Sequence, residues 1–253
     1  MSEKIRDRVY VVTGGARGIG QGIAASLSAA GGRIAILDLD QASMDEAARE
    51  IGGDVRTYVC NITDEAAVEE TFTRIVSDFG RIDGLVNNAG IIRDSLLVKN
   101  RGGAVTGKMT VEQFDLVINV CLKGAFLCAR ETVAHMIEGK VEDGVLINIS
   151  SGSFRGNFGQ TNYSAAKAGL VAMSAVWAKE YGRNSIRSMV IAPGPIDTEL
   201  LRSMPAEAMK GLVSQVPVRR VGQIGNIAQT AIQIIENDFL TGSIIEVNGG
   251  LTV

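Results

Sequence analysis

From Val9 onward, short apolar runs of strand length alternate with stretches of helical periodicity, and the alternation continues to the C-terminus. Runs at Val9–Thr13, Arg33–Asp38, Val55–Cys60, Gly84–Asn87, Val145–Ser150, Arg187–Ala192 and Ile244–Val247 read as strands. Several are continuous and β-branched, the pattern of parallel strands buried on both faces. Helical patterns fill the gaps, as at Gln41–Ile51, Ala66–Phe79, Val111–Glu138 and Ala165–Tyr181. Strand–helix alternation predicts an α/β fold: a single doubly wound domain, 1–253, with a seven-stranded parallel sheet and helices on both faces. The 253 residues fit one such domain, and a hydrophobic content of 46% suffices for its core.

The first strand runs directly into TGGARGIG at 13–20, followed by a helical pattern over Ile19–Ala30. Strand, glycine-rich turn and helix is the setting of a dinucleotide site. Glycines let the backbone turn sharply and approach a pyrophosphate, and the helix N-terminus offers free N–H groups to the anion. The spacing is TGxxxGxG, carried by Gly14, Gly18 and Gly20, with Arg17 and Ile19 between them. Asp38 ends the second strand, eighteen residues after Gly20, close to the spacing of the acidic residue that holds the adenosine ribose. A carboxylate there accepts from both ribose hydroxyls and repels a 2′-phosphate. Asp40 is better placed than Asp38 to cap the helix that follows. Arg17 could serve a 2′-phosphate, but desolvating two opposed anions costs more than one Arg returns, so NAD is expected over NADP.

Tyr163 and Lys167 lie four residues apart in NYSAAKAG at 162–169, one turn from each other on a helix. A neighbouring ammonium favours the phenolate form of a tyrosine, which can then give or take the proton of an alcohol.

Together these motifs resemble the short-chain dehydrogenase/reductase family. NNAG at 87–90, the serine pair at 150–151, YxxxK at 163–167 and PGPIDT at 193–198 follow in the family's order, and the resemblance runs from about Arg8 to the C-terminus. It implies a Rossmann-type domain with a Ser-Tyr-Lys catalytic group. Counting along the strand assigns the substrate-oxygen contact to Ser151, leaving Ser150 as a cap or interior hydroxyl. The resemblance places Asn61 and Ile62 at the adenine, with the Asn61 side chain bonding its amino group. It places Asn87, Ala89 and Gly90 at the riboses, Ile191, Pro193, Gly194 and Ile196 at the nicotinamide, and Thr198 at its carboxamide. Lys167 is expected on the nicotinamide ribose, and residues 195–221 as a lid over the substrate. One position departs from the family: its catalytic Asn is replaced by Cys121 in INVCLKG, and Asn119 falls on a different helix face. A cysteine retains the backbone carbonyl but lacks the amide. The stretch Lys99–Lys108 is longer than the family's connection and reads as a tolerated surface insertion.

The net charge is −3 and no basic cluster stands out, which argues against nucleic-acid binding. The charged N-terminus MSEKIRDR leads straight into a strand and leaves no signal peptide. No apolar run reaches the roughly 18 residues of a membrane span. Cys60, Cys121 and Cys128 form no CxxC, and their odd number reads as free thiols in the cytoplasm. The single histidine, His135, rules out a multi-histidine metal site and reads as an ordinary helix-face residue.

The leading reading is hydride transfer between NAD(H) and a secondary alcohol or ketone, either a small molecule or a 3-hydroxyacyl thioester. An NADPH-dependent 3-oxoacyl-acyl-carrier-protein reductase is the alternative, which GQTNYSAAKAG resembles; that branch generally uses NADPH, which Asp38 disfavours. A non-catalytic cofactor sensor is a second alternative, supported by Cys121 alone. The apolar surface of Val111–Glu138, Ala165–Tyr181 and the C-terminal run 243–253 points to a homotetramer.

Overall fold

The computed structural model describes residues 3–252; Met1, Ser2 and Val253, the last residue of the apolar C-terminal run, lie outside the described residues. The strands are β1 (Val9–Thr13), β2 (Arg33–Asp38), β3 (Val55–Val59), β4 (Gly84–Asn87), β5 (Val98–Arg101), β6 (Ala104–Lys108), β7 (Gly144–Ile149), β8 (Ile186–Pro193) and β9 (Ile244–Val247). The helices are α1 (Gly18–Ala29), α2 (Gln41–Ile51), α3 (Glu65–Phe79), α4 (Val111–Ile118), α5 (Gly124–Glu138), α6 (Thr161–Tyr181), α7 (Glu199–Arg202), α8 (Ala206–Gln215) and α9 (Ile224–Glu236). The seven expected strands form one parallel sheet in the order β3-β2-β1-β4-β7-β8-β9. β3 and β7 each end one residue earlier than the sequence pattern suggested, at Val59 and Ile149.

Side-chain alternation sorts each strand between two apolar layers. Tyr10 and Val12 of β1, with Ile34 and Ile36 of β2, pack beneath α1 and α9. Val9, Val11, Ala35 and Leu37 face the opposite layer, formed by α3, α5 and Trp177 of α6. Both faces of the central strands are therefore covered, which is why they read as continuous apolar runs. The strand order reverses between β1 and β4, and a crevice opens outside the carboxyl ends of the strands at such a point. The glycine turn, NNAG and the serine pair follow β1, β4 and β7, so the sheet gathers all three motifs at that end.

Three elements differ from the sequence expectation. The helix expected over Val111–Glu138 is broken by a π-helical turn at Asn119–Lys123, a geometry that frequently marks functional sites. Lys99–Lys108, read as a plain insertion, forms an antiparallel hairpin of β5 and β6 with a register shift after Lys99. α6 begins at Thr161, not Ala165, which places Tyr163 in its first turn.

Candidate active site

The glycine turn is shaped by close approach. Gly14 has φ +61°, and a Cβ there would lie 2.9 Å from the Ala89 Cα. A Cβ on Gly20 would lie 2.3 Å from the Gly14 carbonyl oxygen and 2.5 Å from Asn88 Nδ2. Arg17, the N-cap of α1, is extended and supplies no side-chain cap, so the first N–H groups of the helix remain available to an anion. Gly18 sits against Thr198, whose Cγ2 lies 3.9 Å from its Cβ position. The cradle, the uncapped helix and the absence of side chains at its base fit a dinucleotide pyrophosphate.

Thr13 and Asn88 fasten this turn to the NNAG loop, and neither was singled out from sequence. Thr13 Oγ1 accepts from the backbone N–H groups of Asn88 and Ala89, both at 3.1 Å. Asn88 Nδ2 donates to the Thr13 carbonyl at 3.1 Å and the Gly14 carbonyl at 2.9 Å. Asn87, expected to line the riboses, instead turns its side chain into the interior. Its Nδ2 donates to Asn148 Oδ1 at 3.0 Å and to the Ala125 carbonyl at 3.2 Å, while its Oδ1 is buried without a partner among the described residues. The duplicated asparagine was the available signal, with one residue of the pair for the core and one for the loop.

Asp38 stands half-buried at the end of β2. Its Oδ2 accepts from Ala16 N at 3.3 Å and its Oδ1 from Leu39 N at 2.8 Å, so it also braces the glycine turn. Asp40 caps α2 as expected, accepting from Ala42 N and Ser43 N. Hydrogen bonds from Ser43 hold the Asp40 carboxyl below its ordinary range, and Arg17 is exposed. Asn61, expected at the adenine, makes a local turn with Thr63. Its Oδ1 already accepts from Thr63 N at 3.1 Å and Thr63 Oγ1 at 2.9 Å, the oxygen an adenine amino group would need. Ile62 is buried beside it, against Gly124 of α5.

Lys167 and Tyr163 meet where α6 begins beside the end of β7, and the serine pair follows that strand. Lys167 is buried, and its Nζ donates to the Ile149 carbonyl at 2.7 Å and lies 5.5 Å from the Tyr163 ring centroid. A buried ammonium held by a carbonyl rather than a carboxylate is costly unless another group joins it, and two of its three donors remain available. Ser150 is an interior hydroxyl that donates to the Lys167 carbonyl at 3.0 Å. Ser151 Oγ accepts from Ser153 N at 3.2 Å and retains its own O–H to donate. Tyr163 packs against the buried cluster of Val117, Cys121 and Ala166. Gly90 lies between Cys121 and Lys167, its Cβ position 3.5 Å from Sγ and 3.6 Å from Nζ.

Pro193 ends β8 and Gly194 follows it along the same rim, where a Cβ on Gly194 would meet the Asn248 backbone at 2.7 Å. Residues 195–222 leave and return through one clasp: Gly222 N donates to the Pro195 carbonyl at 2.9 Å and Asp197 N to the Gly222 carbonyl at 2.8 Å. Ile196 is buried in that clasp, and α7 and α8 lie beyond it.

Residues 14–252 match the family model described as Enoyl-(Acyl carrier protein) reductase. The chain is a short-chain dehydrogenase/reductase. It is 36% identical over 256 residues to the 3-oxoacyl-[acyl-carrier-protein] reductase FabG of Thermotoga maritima, covering 99% of this chain and 100% of that protein. It is 37% identical over 252 residues to the (2S)-[(R)-hydroxy(phenyl)methyl]succinyl-CoA dehydrogenase subunit BbsD of Thauera aromatica, covering 97% of each. The crystal structure of gox2181 superimposes with a TM-score of 0.88 at 30% identity, over 98% of this chain and 97% of that one.

In this dehydrogenase/reductase Cys121, where the resemblance leads one to expect an asparagine, lies in the π-helical turn. The thiol is buried, accepts from Ile91 N at 3.4 Å and donates to the Ile91 carbonyl at 3.5 Å. It therefore clamps both polar groups of the residue after Gly90, through the weak donor and acceptor of a thiol. Cys121→Asn is expected to strengthen the clamp and raise turnover by about 1 kcal/mol, the net worth of one hydrogen bond, with NADH affinity unchanged in fluorescence titration. Unchanged turnover would make the position purely structural. His135 stands apart from the site on α5, with Nδ1 4.0 Å from Glu138 Oε2. Among the described residues no cluster of ligands suits a metal ion, and no helix is long and apolar enough to cross a membrane.

Proposed function

We propose that the chain interconverts a 3-oxoacyl thioester and its 3-hydroxyacyl counterpart, with NAD(H) as the hydride carrier. The observation that carries the reaction is the buried Lys167 ammonium 5.5 Å from the Tyr163 ring centroid and against Gly90, with Ser151 directly after β7. The relatives named as 3-oxoacyl reductases favour a thioester over the small alcohol that the sequence left equally open. They also support the carrier-protein alternative better than a general alcohol dehydrogenase.

Gly14, Gly18 and Gly20 with the α1 N-terminus would hold the pyrophosphate, Asp38 the adenosine ribose and Lys167 the nicotinamide ribose. Pro193, Gly194, Ile196 and Thr198 would line the nicotinamide. Bound nicotinamide supplies or accepts the hydride. Ser151 donates a hydrogen bond to the 3-oxo oxygen and fixes its position. Tyr163 gives that oxygen a proton during reduction and takes it back during oxidation, and the Lys167 ammonium stabilises the phenolate left behind. Positioning and electrostatics supply most of the acceleration. Exposed Phe158 and Leu97 sit on one rim, because Ser95 pairs with Gln160, and offer apolar surface to an acyl chain. Residues 195–221 act as the lid that excludes water during hydride transfer.

Asp38 carries the cofactor preference. With an acetoacetyl thioester as substrate, kcat/KM is expected to be higher with NADH than with NADPH. A clear NADPH preference would overturn this assignment and favour the NADPH-dependent alternative.

Assembly as a homotetramer accounts for two unpartnered surfaces. Phe126 and Ile137 of α5 and Val176 of α6 are exposed apolar residues on one flank, and β9 leaves Ile244 on the sheet edge. Two distinct self-complementary contacts generate a closed tetramer. Light scattering is expected to give four times the chain mass, and a monomeric mass at working concentration would contradict the proposal.

A further inference from the structure

We infer that the β5–β6 hairpin is an anion-binding arm that grips the phosphates of a coenzyme A thioester, an inference that rests on the thioester reading above. Residues 98–108 carry Lys99, Arg101 and Lys108 and no acidic residue, in a chain whose net charge is −3. None of the three cations forms an ion pair among the described residues. The hairpin is almost wholly exposed and pairs with no strand of the main sheet, so the core does not require it. Lys99 and Arg101 are two residues apart on β5 and share a face. Their cross-strand partners are Gly107 and Ala104, too small to cover them.

The base of the arm is fixed beside the catalytic tyrosine. Met109 N closes it on the Leu97 carbonyl at 3.1 Å, and Ser95 N bonds the Gly159 carbonyl at 2.9 Å. Gln160 Nε2 donates to Asp94 at 2.8 Å, which engages an acid that precedes the base by three residues. Asn162, immediately before Tyr163, donates to the carbonyls of Arg93 and Gln113, each at 3.0 Å. Strands of this length extend roughly 15 Å at about 3.3 Å per residue, so the cations stand away from the reacting carbon, along the path of a substrate's tail.

The arrangement suits a compact polyanion better than a broad acidic protein surface. The cations are confined to one narrow ribbon, with exposed Glu112 and Asp115 on α4 directly after it. Those carboxylates would repel an acidic carrier protein spread across the rim. Exposed Val98 and Val105 lie on the other face of the ribbon beside Lys108 and give a purine base an apolar surface next to that cation.

The triple variant K99Q/R101Q/K108Q tests the arm without deleting it. With acetoacetyl-coenzyme A, kcat/KM is expected to fall about 10- to 100-fold, mainly through KM, while the phosphate-free N-acetylcysteamine thioester is turned over as by the wild type. Added salt should raise the wild-type KM for the coenzyme A substrate and leave that of the variant nearly flat. Equal activity of variant and wild type on acetoacetyl-coenzyme A, or equal loss on both substrates, would overturn the inference. So would a loss seen only with a carrier-protein thioester, which would make the arm a protein-docking element. Calorimetric titration with free coenzyme A separates this inference from the reaction. Binding to the wild type but not to the triple variant supports the arm even if no thioester is turned over, a result that would instead reject the proposed reaction. Absence of coenzyme A binding by an enzyme that reduces the N-acetylcysteamine thioester rejects the arm alone.

Discussion

Tyr163→Phe should lower kcat by at least roughly 10²–10⁴-fold, the usual contribution of general acid–base catalysis, while leaving the NADH dissociation constant nearly unchanged. The ring would keep its packing against Val117, Cys121 and Ala166, so the variant removes the hydroxyl and little else. Lys167→Ala should behave differently. Its ammonium holds the Ile149 carbonyl and stands over the Tyr163 ring, and the same ammonium is proposed to hold the nicotinamide ribose. Both turnover and NADH affinity should therefore fall. Stopped-flow turnover combined with NADH fluorescence titration distinguishes the two variants. Near-normal turnover by the Phe variant would reject Tyr163 as the proton donor.

Gly20→Ala should damage the cofactor site through packing alone. The added methyl would fall 2.3 Å from the Gly14 carbonyl oxygen and 2.5 Å from Asn88 Nδ2. The first of these is backbone, so α1 and the glycine turn must move apart. Overpacking of this kind costs about 1–3 kcal/mol, and each kcal/mol lowers Tm by roughly 2–4 °C in a chain of this size. The same displacement misaligns the helix N–H groups with the pyrophosphate, and NADH affinity should fall at least about tenfold, equivalent to about 1.4 kcal/mol. Differential scanning calorimetry and NADH titration read the two effects separately. An alanine variant with unchanged Tm and affinity would show that the turn yields without cost and that Gly20 is not a determinant of the site.

The sequence by itself determined what depends on neighbours along the chain. Strand and helix periods gave the parallel sheet, because a strand buried on both faces must be apolar throughout. Strand, glycine turn and helix located the cofactor cradle, and the four-residue spacing of Tyr163 and Lys167 set them one turn apart. Asp40 was legible as a cap because its bonds reach only Ala42 and Ser43. The tertiary structure decided what depends on distant pairing. Asn87 and Asn88 are identical neighbours in sequence, yet the alternation of β4 turns Asn87 toward Asn148, 61 residues away, and leaves Asn88 to hold the glycine turn, 74 residues back. Ser150 and Ser151 divide in the same way: Ser150 meets the Lys167 carbonyl, and Ser151 keeps a free donor. The π-helical turn at Cys121 and the hairpin at 98–108 were hidden for a related reason. Helical periodicity continues through an added residue without a visible break, and an exposed hairpin buries no face whose pattern could announce it. Local bonding and burial leave a periodic trace in sequence, whereas the choice between equivalent polar residues is made only when the sheet brings remote partners within hydrogen-bond distance.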